Sequence, residues 1–163
     1  MGCNHGAVTQ CYSTNAVSGD STVGGLMGLN LGDIAKCYNT GAVNGTSYVG
    51  GLVGFNHDCI VTQCYSTGVV NGGGNNVGGL VGKKQLSDIM ASFWDIQTSG
   101  QARSDGGIGK TTAEMQMAST FLSAGWDFIG ETDNGTEDIW WIDEGQDYPI
   151  LSWELPQKTT PQH

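Results

Sequence analysis

Cys37-Tyr38-Asn39-Thr40-Gly41-Ala42-Val43-Asn44-Gly45, followed at once by Thr46-Ser47-Tyr48-Val49-Gly50-Gly51-Leu52-Val53-Gly54, is one copy of a unit that the first half of this chain spells three times. Cys11-Tyr12-Ser13-Thr14 and Cys64-Tyr65-Ser66-Thr67 repeat its opening, and Gly24-Gly25-Leu26-Met27-Gly28 and Gly78-Gly79-Leu80-Val81-Gly82 repeat its close. The copies recur every 26 to 28 residues. Each holds three short apolar runs separated by Gly, Asn, Ser and Asp, and runs that short, rich in Val and Tyr, predict strands, three to a unit. Glycines at fixed offsets are expected to provide the positive backbone angles of sharp corners. One unit per coil predicts an all-β fold: a parallel β-solenoid (β-helix) of about four coils, finished by a small α+β C-terminal cap containing one helix. Equivalent residues then stack at about 4.8 Å. The expected ladders are Cys11/Cys37/Cys64, Tyr12/Tyr38/Tyr65, Val17/Val43/Val70, Leu26/Leu52/Leu80 and Asn30/Asn56.

The stretch Val49-Gly50-Gly51-Leu52-Val53-Gly54, then Asn56, then Cys64-Tyr65-Ser66-Thr67-Gly68, resembles the GLUG repeat of secreted and surface-attached bacterial proteins. Those include adhesin-like chains and the accessory regions of immunoglobulin A-cleaving metallopeptidases. The resemblance covers roughly residues 2–100, in three copies and a worn fourth. In the fourth, Ser92-Phe93-Trp94 stands where Cys-Tyr is expected and Lys83-Lys84-Gln85 replaces the aromatic-Asn step, so a distorted turn is expected there. Such repeats are scaffolds, and what the resemblance implies is a secreted or cell-surface location rather than a chemistry.

Composition narrows the function classes. Twenty-seven glycines and 13% charged residues suit recurring corners better than a globular enzyme. A net charge of −10 argues against nucleic acid and against an anionic membrane surface, since both require a basic patch. No apolar run approaches the roughly 18 residues of a membrane span, and the chain carries no signal peptide. Met1-Gly2 opens onto residues that align with mid-coil Gly28-Leu29-Asn30, which leads us to expect part of a larger secreted protein. Residues 1–100 hold five acids against three lysines, whereas 101–163 hold eleven against three bases. That shift divides the chain into a solenoid over 1–100, an acidic, Trp-rich cap over 101–155 and a disordered tail over 156–163. Thr111-Thr112-Ala113-Glu114 predicts a capped helix to about Ala124, and Trp126–Phe128, Ile139–Ile142 and Tyr148–Leu151 read as strands.

Candidate site residues fall in two groups. Ladders of Tyr12, Tyr38 and Tyr65 and of Thr14, Thr40 and Thr67 offer flat faces for a glycan or for a host or surface protein. His5 and His57, with Asp33, Asp58 and Cys59 on neighbouring corners, have the ligand types of a transition-metal site. The histidines stand two coils apart, about 9–10 Å, which favours a solvated polar edge. Asp133 and Asp138 bracket an oxygen-rich, Gly-turned loop, so the cofactor expectation is none, with calcium as the alternative. The sequence contains no Gly-x-Ser-x-Gly elbow, no His-Glu-x-x-His helix and no phosphate-binding loop. The favoured reading is a non-catalytic, adhesin-like extracellular binding or structural module. The alternative is a polysaccharide- or ester-cleaving hydrolase or lyase with a groove on one solenoid face.

Overall fold

The computed structural model describes residues 2–156, so the tail expected over 156–163 lies outside the described residues from 157 onward. The chain divides into two compact units, 1–112 and 113–163.

Unit 1 is a parallel β-solenoid. Its first turn comprises β1 (Cys3–Asn4), β2 (Val8–Thr9), β3 (Tyr12–Ser13), β4 (Val17–Ser18) and β5 (Ser21–Gly24). The second comprises β6 (Met27–Asn30), β7 (Ile34–Ala35), β8 (Tyr38–Asn39), β9 (Val43–Gly45) and β10 (Ser47–Gly50). The third comprises β11 (Val53–His57), β12 (Ile60–Thr62), β13 (Tyr65–Ser66), β14 (Val70–Gly72) and β15 (Val77–Gly78). A fourth turn stops after three strands, β16 (Val81–Gln85), β17 (Asp88–Met90) and β18 (Phe93–Asp95). A single helical turn, α1 (Ile96–Ser99), follows, and β19 (Ile108–Lys110) then lies beside β18. Strands stack into five parallel sheets, ordered β1-β6-β11-β16, β2-β7-β12-β17, β3-β8-β13-β18-β19, β4-β9-β14 and β5-β10-β15.

The register is the one the repeat predicts: Tyr12↔Tyr38↔Tyr65, Val17↔Val43↔Val70 and Asn30↔Asn56 are direct partners. The turn is finer than expected, with five short strands per coil instead of three. The extra strands arise because short runs around Ile34 and Val61, and around Val23 and Val49, also turn a side chain into the interior and pair with their counterparts in neighbouring coils.

Two apolar clusters fill the interior. One combines Leu26, Leu52 and Leu80 with Met27, Val53, Val81, Ile34, Val61, Cys37 and Cys64. The other is a valine column, Val43, Val70, Val23 and Val49, with Val17 and Val77 against it. Fully burying each such side chain stabilises the fold by about 1.5–3 kcal/mol.

The conserved spacing of glycines has a different cause from the one expected. Positive φ at the corners falls on non-glycine residues, namely Gln10, Lys36, Gln63 and Ala91 at one repeat position, with φ between 45° and 55°. The repeat glycines give room instead. A Cβ on Gly50 would fall onto the Val53 carbonyl oxygen and 2.6 Å from the Gly82 nitrogen, and one on Gly51 would meet the Ser66 hydroxyl. Gly25 stands in the same relation to the Asn39 amide, and Gly79 to the Trp94 ring.

Unit 2 contains α2 (Thr112–Met115), which begins at the boundary, and α3 (Ala118–Leu122) where one helix is expected. The break is explained by competing partners. Met117 is extended, the Gly145 N–H donates to the Gln116 carbonyl, and the Glu144 carboxylate accepts from the Ala118 N–H. β20 (Trp140–Trp141) pairs antiparallel with β21 (Ile150–Leu151), and Phe128 bridges to Trp140. Phe121, Trp126 and Trp140 form the core, with Trp126 and Trp140 ring centroids 4.5 Å apart. Of the other tryptophans in this unit, Trp141 is half-buried and Trp153 exposed.

Candidate functional site

Three side-chain columns run through the solenoid in register. In the first, each cysteine braces a left-handed corner. The thiols of Cys11, Cys37 and Cys64 donate to the carbonyls of Thr9, Ala35 and Thr62, two residues back across the corner. The Cys37 and Cys64 sulfurs also accept an N–H of the preceding coil: Cys11 N–H to Cys37 Sγ and Cys37 N–H to Cys64 Sγ, both 3.4 Å. Ser92 takes over both roles in the fourth turn, donating to the Met90 carbonyl at 2.7 Å and accepting from the Cys64 N–H at 3.1 Å. All five cysteines are free thiols. Burial pushes Cys64 well above the ordinary thiol value and raises Cys11 and Cys59, so these groups are held neutral.

In the second column, Asn4 donates to Asn30 Oδ1 at 2.8 Å and Asn30 to Asn56 Oδ1 at 2.6 Å. Cys59 completes it, donating to Asn56 Oδ1 at 3.1 Å and accepting from Asn30 Nδ2 at 3.2 Å. Cys59 is therefore an internal hydrogen-bonding group. Asp33 and Asp58 lie close enough to Cys59 for their charges to help raise its thiol, but neither carboxylate is hydrogen-bonded to it. His5 is exposed beside Cys3 (Nε2 to Sγ 3.4 Å), and His57 packs edge-on against Phe55. Asp33 accepts the Ile60 N–H at 2.8 Å, and Asp58 is exposed with φ 53°.

In the acidic loop, Asp127 accepts from the Glu137 and Asp138 N–H groups, and Glu131 accepts from those of Asp133 and Asn134. Asp138 itself accepts from the Gly130 N–H at 3.3 Å, and Asp133 is exposed. Among the described residues no three His, Cys, Asp or Glu side chains are grouped to hold a metal ion.

The third column is aromatic. Tyr12, Tyr38 and Tyr65 stack with centroids 5.1 and 4.9 Å apart and planes nearly parallel. Tyr12 is exposed, whereas Tyr38 and Tyr65 are buried. Thr14 and Thr40 are open to solvent, but Thr67 is buried, and its carbonyl accepts the Thr98 hydroxyl of α1 at 2.6 Å. Of the six ladder residues expected to meet a ligand, Tyr12, Thr14 and Thr40 remain accessible. Further round the coil, small polar side chains join across turns at the surface. Ser21 and Ser47 hydroxyls are 3.3 Å apart, and Asn71 donates to Asn44 Oδ1 at 2.9 Å.

A cleft of about 270 Å³ opens where the repeat breaks, lined by Asn75, Asn76, Val77, Gly82, Lys83, Arg103, Ser104 and Asp105. Two irregularities build it. Val77 follows Val70 by seven positions, against six from Val17 to Val23 and from Val43 to Val49, so one extra residue falls between Gly72 and Val77, the stretch that holds Asn75 and Asn76. Lys83 stands in register with Leu29 and Phe55, placing an ammonium where earlier turns carry an apolar side chain. Residues 103–105 then run beside 79–81 as a substitute for a further coil. Gly79 N–H donates to the Arg103 carbonyl and Asp105 N–H to that of Val81. Ser104 Oγ accepts the N–H groups of Leu80 (3.2 Å) and Val81 (2.8 Å), which in earlier turns go to a leucine carbonyl. Asp105 accepts the Lys84 N–H at 2.9 Å and pairs with Lys83 at 3.4 Å. Lys83-Lys84 is visible in the sequence as a departure from the repeat, but Arg103, Asn75 and Asn76 are not, because only the folded return of 103–105 brings them together.

Register-locked coils with braced left-handed corners define unit 1 as a repeat-built parallel β-solenoid. The family profile of the GLUG motif matches residues 45–71, from the end of β9 into β14. The chain is also 40% identical over 81 residues to a protein of Evansella cellulosilytica provisionally named a Gly-rich membrane protein. The match covers 47% of this chain and 8% of that relative, so the chain spans a small part of the relative's length. No solved structure matches the chain. Among the described residues no helix is long and apolar enough to cross a membrane.

Proposed function

We propose that this chain is a non-catalytic, adhesin-like binding and structural module, exported or displayed at a bacterial cell surface, with polysaccharide as the partner. The observation that carries the reading is the register of polar side chains on the outer faces. Ser21–Ser47 and Asn44–Asn71 are joined across coils, so hydroxyls and amides repeat at the inter-strand spacing of about 4.8 Å on a rigid support. A face of this kind meets sugar hydroxyls with donors and acceptors already ordered, which lowers the entropy lost on binding. GLUG repeats and the solenoid fold agree with a structural or surface role.

The test is retention of the chain on insoluble polysaccharides, with reducing ends and released esters assayed in the same tubes. Retention without product, lowered about tenfold or more by Thr40→Glu with Asn44→Glu while the circular dichroism spectrum is unchanged, is the expected result. Product formation that tracks the protein would establish the hydrolase or lyase alternative instead.

A further inference from the structure

We infer that the cleft at the end of the repeat is a subsite for a carboxylate-bearing sugar, a uronate within a longer glycan; this rests on the polysaccharide-binding reading and adds a charge preference to it.

The charge distribution points there first. Unit 1 holds six acids against five bases, so it lacks the acidic excess of 113–163. Two of its five bases, Lys83 and Arg103, line one cleft, and Lys84 is adjacent in sequence. The carboxylate that lines the same cleft, Asp105, is already engaged by the Lys83 ammonium and the Lys84 N–H. Arg103 is exposed, and its guanidinium forms no ion pair or hydrogen bond among the described residues. The cleft therefore presents an uncommitted guanidinium, with a planar fork that matches a carboxylate through two parallel hydrogen bonds.

The remaining lining suits a sugar ring. Asn75 and Asn76 each supply an amide donor and acceptor, and neither side chain has a hydrogen-bond partner among the described residues. Gly82 and Val77 leave an uncharged floor. At about 270 Å³ the cleft sits just under the range of roughly 300–1,000 Å³ usual for small-molecule sites, a fit for one sugar of a chain. The floor is also fixed: Ser104 ties residues 80 and 81 to the return segment, so Arg103 is mounted on hydrogen-bonded backbone.

Titration calorimetry of the full chain with oligogalacturonate and with its fully methyl-esterified form tests this, because the two differ only in the carboxylate. The free acid is expected to bind about tenfold or more tightly than the ester. That preference should be lost in Arg103→Gln, partly kept in Arg103→Lys and weakened by salt. Free acetate at the same carboxylate concentration should not displace the oligosaccharide. Equal affinity for acid and ester, or an Arg103→Gln variant that keeps the preference, overturns the subsite. If the protein is nevertheless retained on neutral insoluble polysaccharide, the module reading stands without it. Failure on every polysaccharide overturns the module reading itself.

Discussion

At the scale of single residues, the cysteines show how a repeat position can be read correctly in place and incompletely in purpose. Their common position makes the ladder legible, and Ser92 shows why the position is polar. A group is needed that donates back across a left-handed corner and accepts an N–H from the coil before, and both thiol and hydroxyl can do so. The strain at those corners is invisible in sequence, because Gln10, Lys36, Gln63 and Ala91 have no common chemistry. Cys64 gives the test. Cys64→Ala leaves the Cys37 N–H and the Thr62 carbonyl short of a partner and is expected to cost about 1–3 kcal/mol in urea unfolding. Cys64→Ser, which copies Ser92, should recover most of that. The thiol also carries a pH signature. Burial raises Cys64 in the folded state, so its contribution is complete below the ordinary thiol value of 9.0 and is lost as pH rises from there toward the folded value. Wild-type stability should fall as pH rises above 9.0, and that fall should shrink in Cys64→Ser. An equal decline in both proteins would show that Cys64 is not its source.

At the scale of the element, strand existence and register were readable, whereas strand number and the use of glycine were not. Period and apolar runs carry register, since matched residues every 26 to 28 positions can stack only one way. They do not show that Ile34-Ala35 or Ser47-Tyr48 also pair, since such pairing depends on neighbouring coils. Gly-Gly-Leu looks like a corner because glycine is so often used for positive φ. Here its absence of a side chain matters, since Gly50 lies against the Val53 carbonyl and Gly51 against Ser66. Gly50→Ala is therefore expected to cost about 3 kcal/mol or more, because the group it strikes is backbone and cannot step aside. Gly73→Ala is the contrast. Its Cβ would meet only the Thr46 carbonyl at 3.9 Å, and φ is not positive. That variant should match wild type or gain up to about 1 kcal/mol from a stiffer unfolded chain. Comparable urea midpoints for the two variants would mean that the close approach at Gly50 is not what selects glycine.

At the scale of the whole molecule, charge separates the two units more sharply than fold does. Residues 113–163 hold ten acids against one base, and four of the five tryptophans, so intrinsic fluorescence reports mainly on this unit. Several carboxylates are structurally committed: Asp127, Glu131, Glu144 and Glu154 each accept backbone N–H groups. Those bonds hold the loops, but a net charge of about nine negatives on 51 residues still repels itself in the compact state. Screening relieves that repulsion. Raising NaCl from about 0.02 M to about 0.5 M shortens the Debye length from roughly 20 Å to roughly 4 Å. The fluorescence-detected melting temperature should rise by several degrees, since about 1 kcal/mol moves a small domain by roughly 4–8 °C. Calcium chloride at equal ionic strength separates screening from coordination. With Asp133 exposed, Asp138 accepting the Gly130 N–H and Asp127 occupied by two N–H groups, calcium is expected to match the sodium series. A saturable rise at micromolar calcium, abolished by Asp133→Asn with Asp138→Asn, would instead assign a cation to that loop. It would also show that repulsion in this unit is neutralised by coordination rather than by ionic screening.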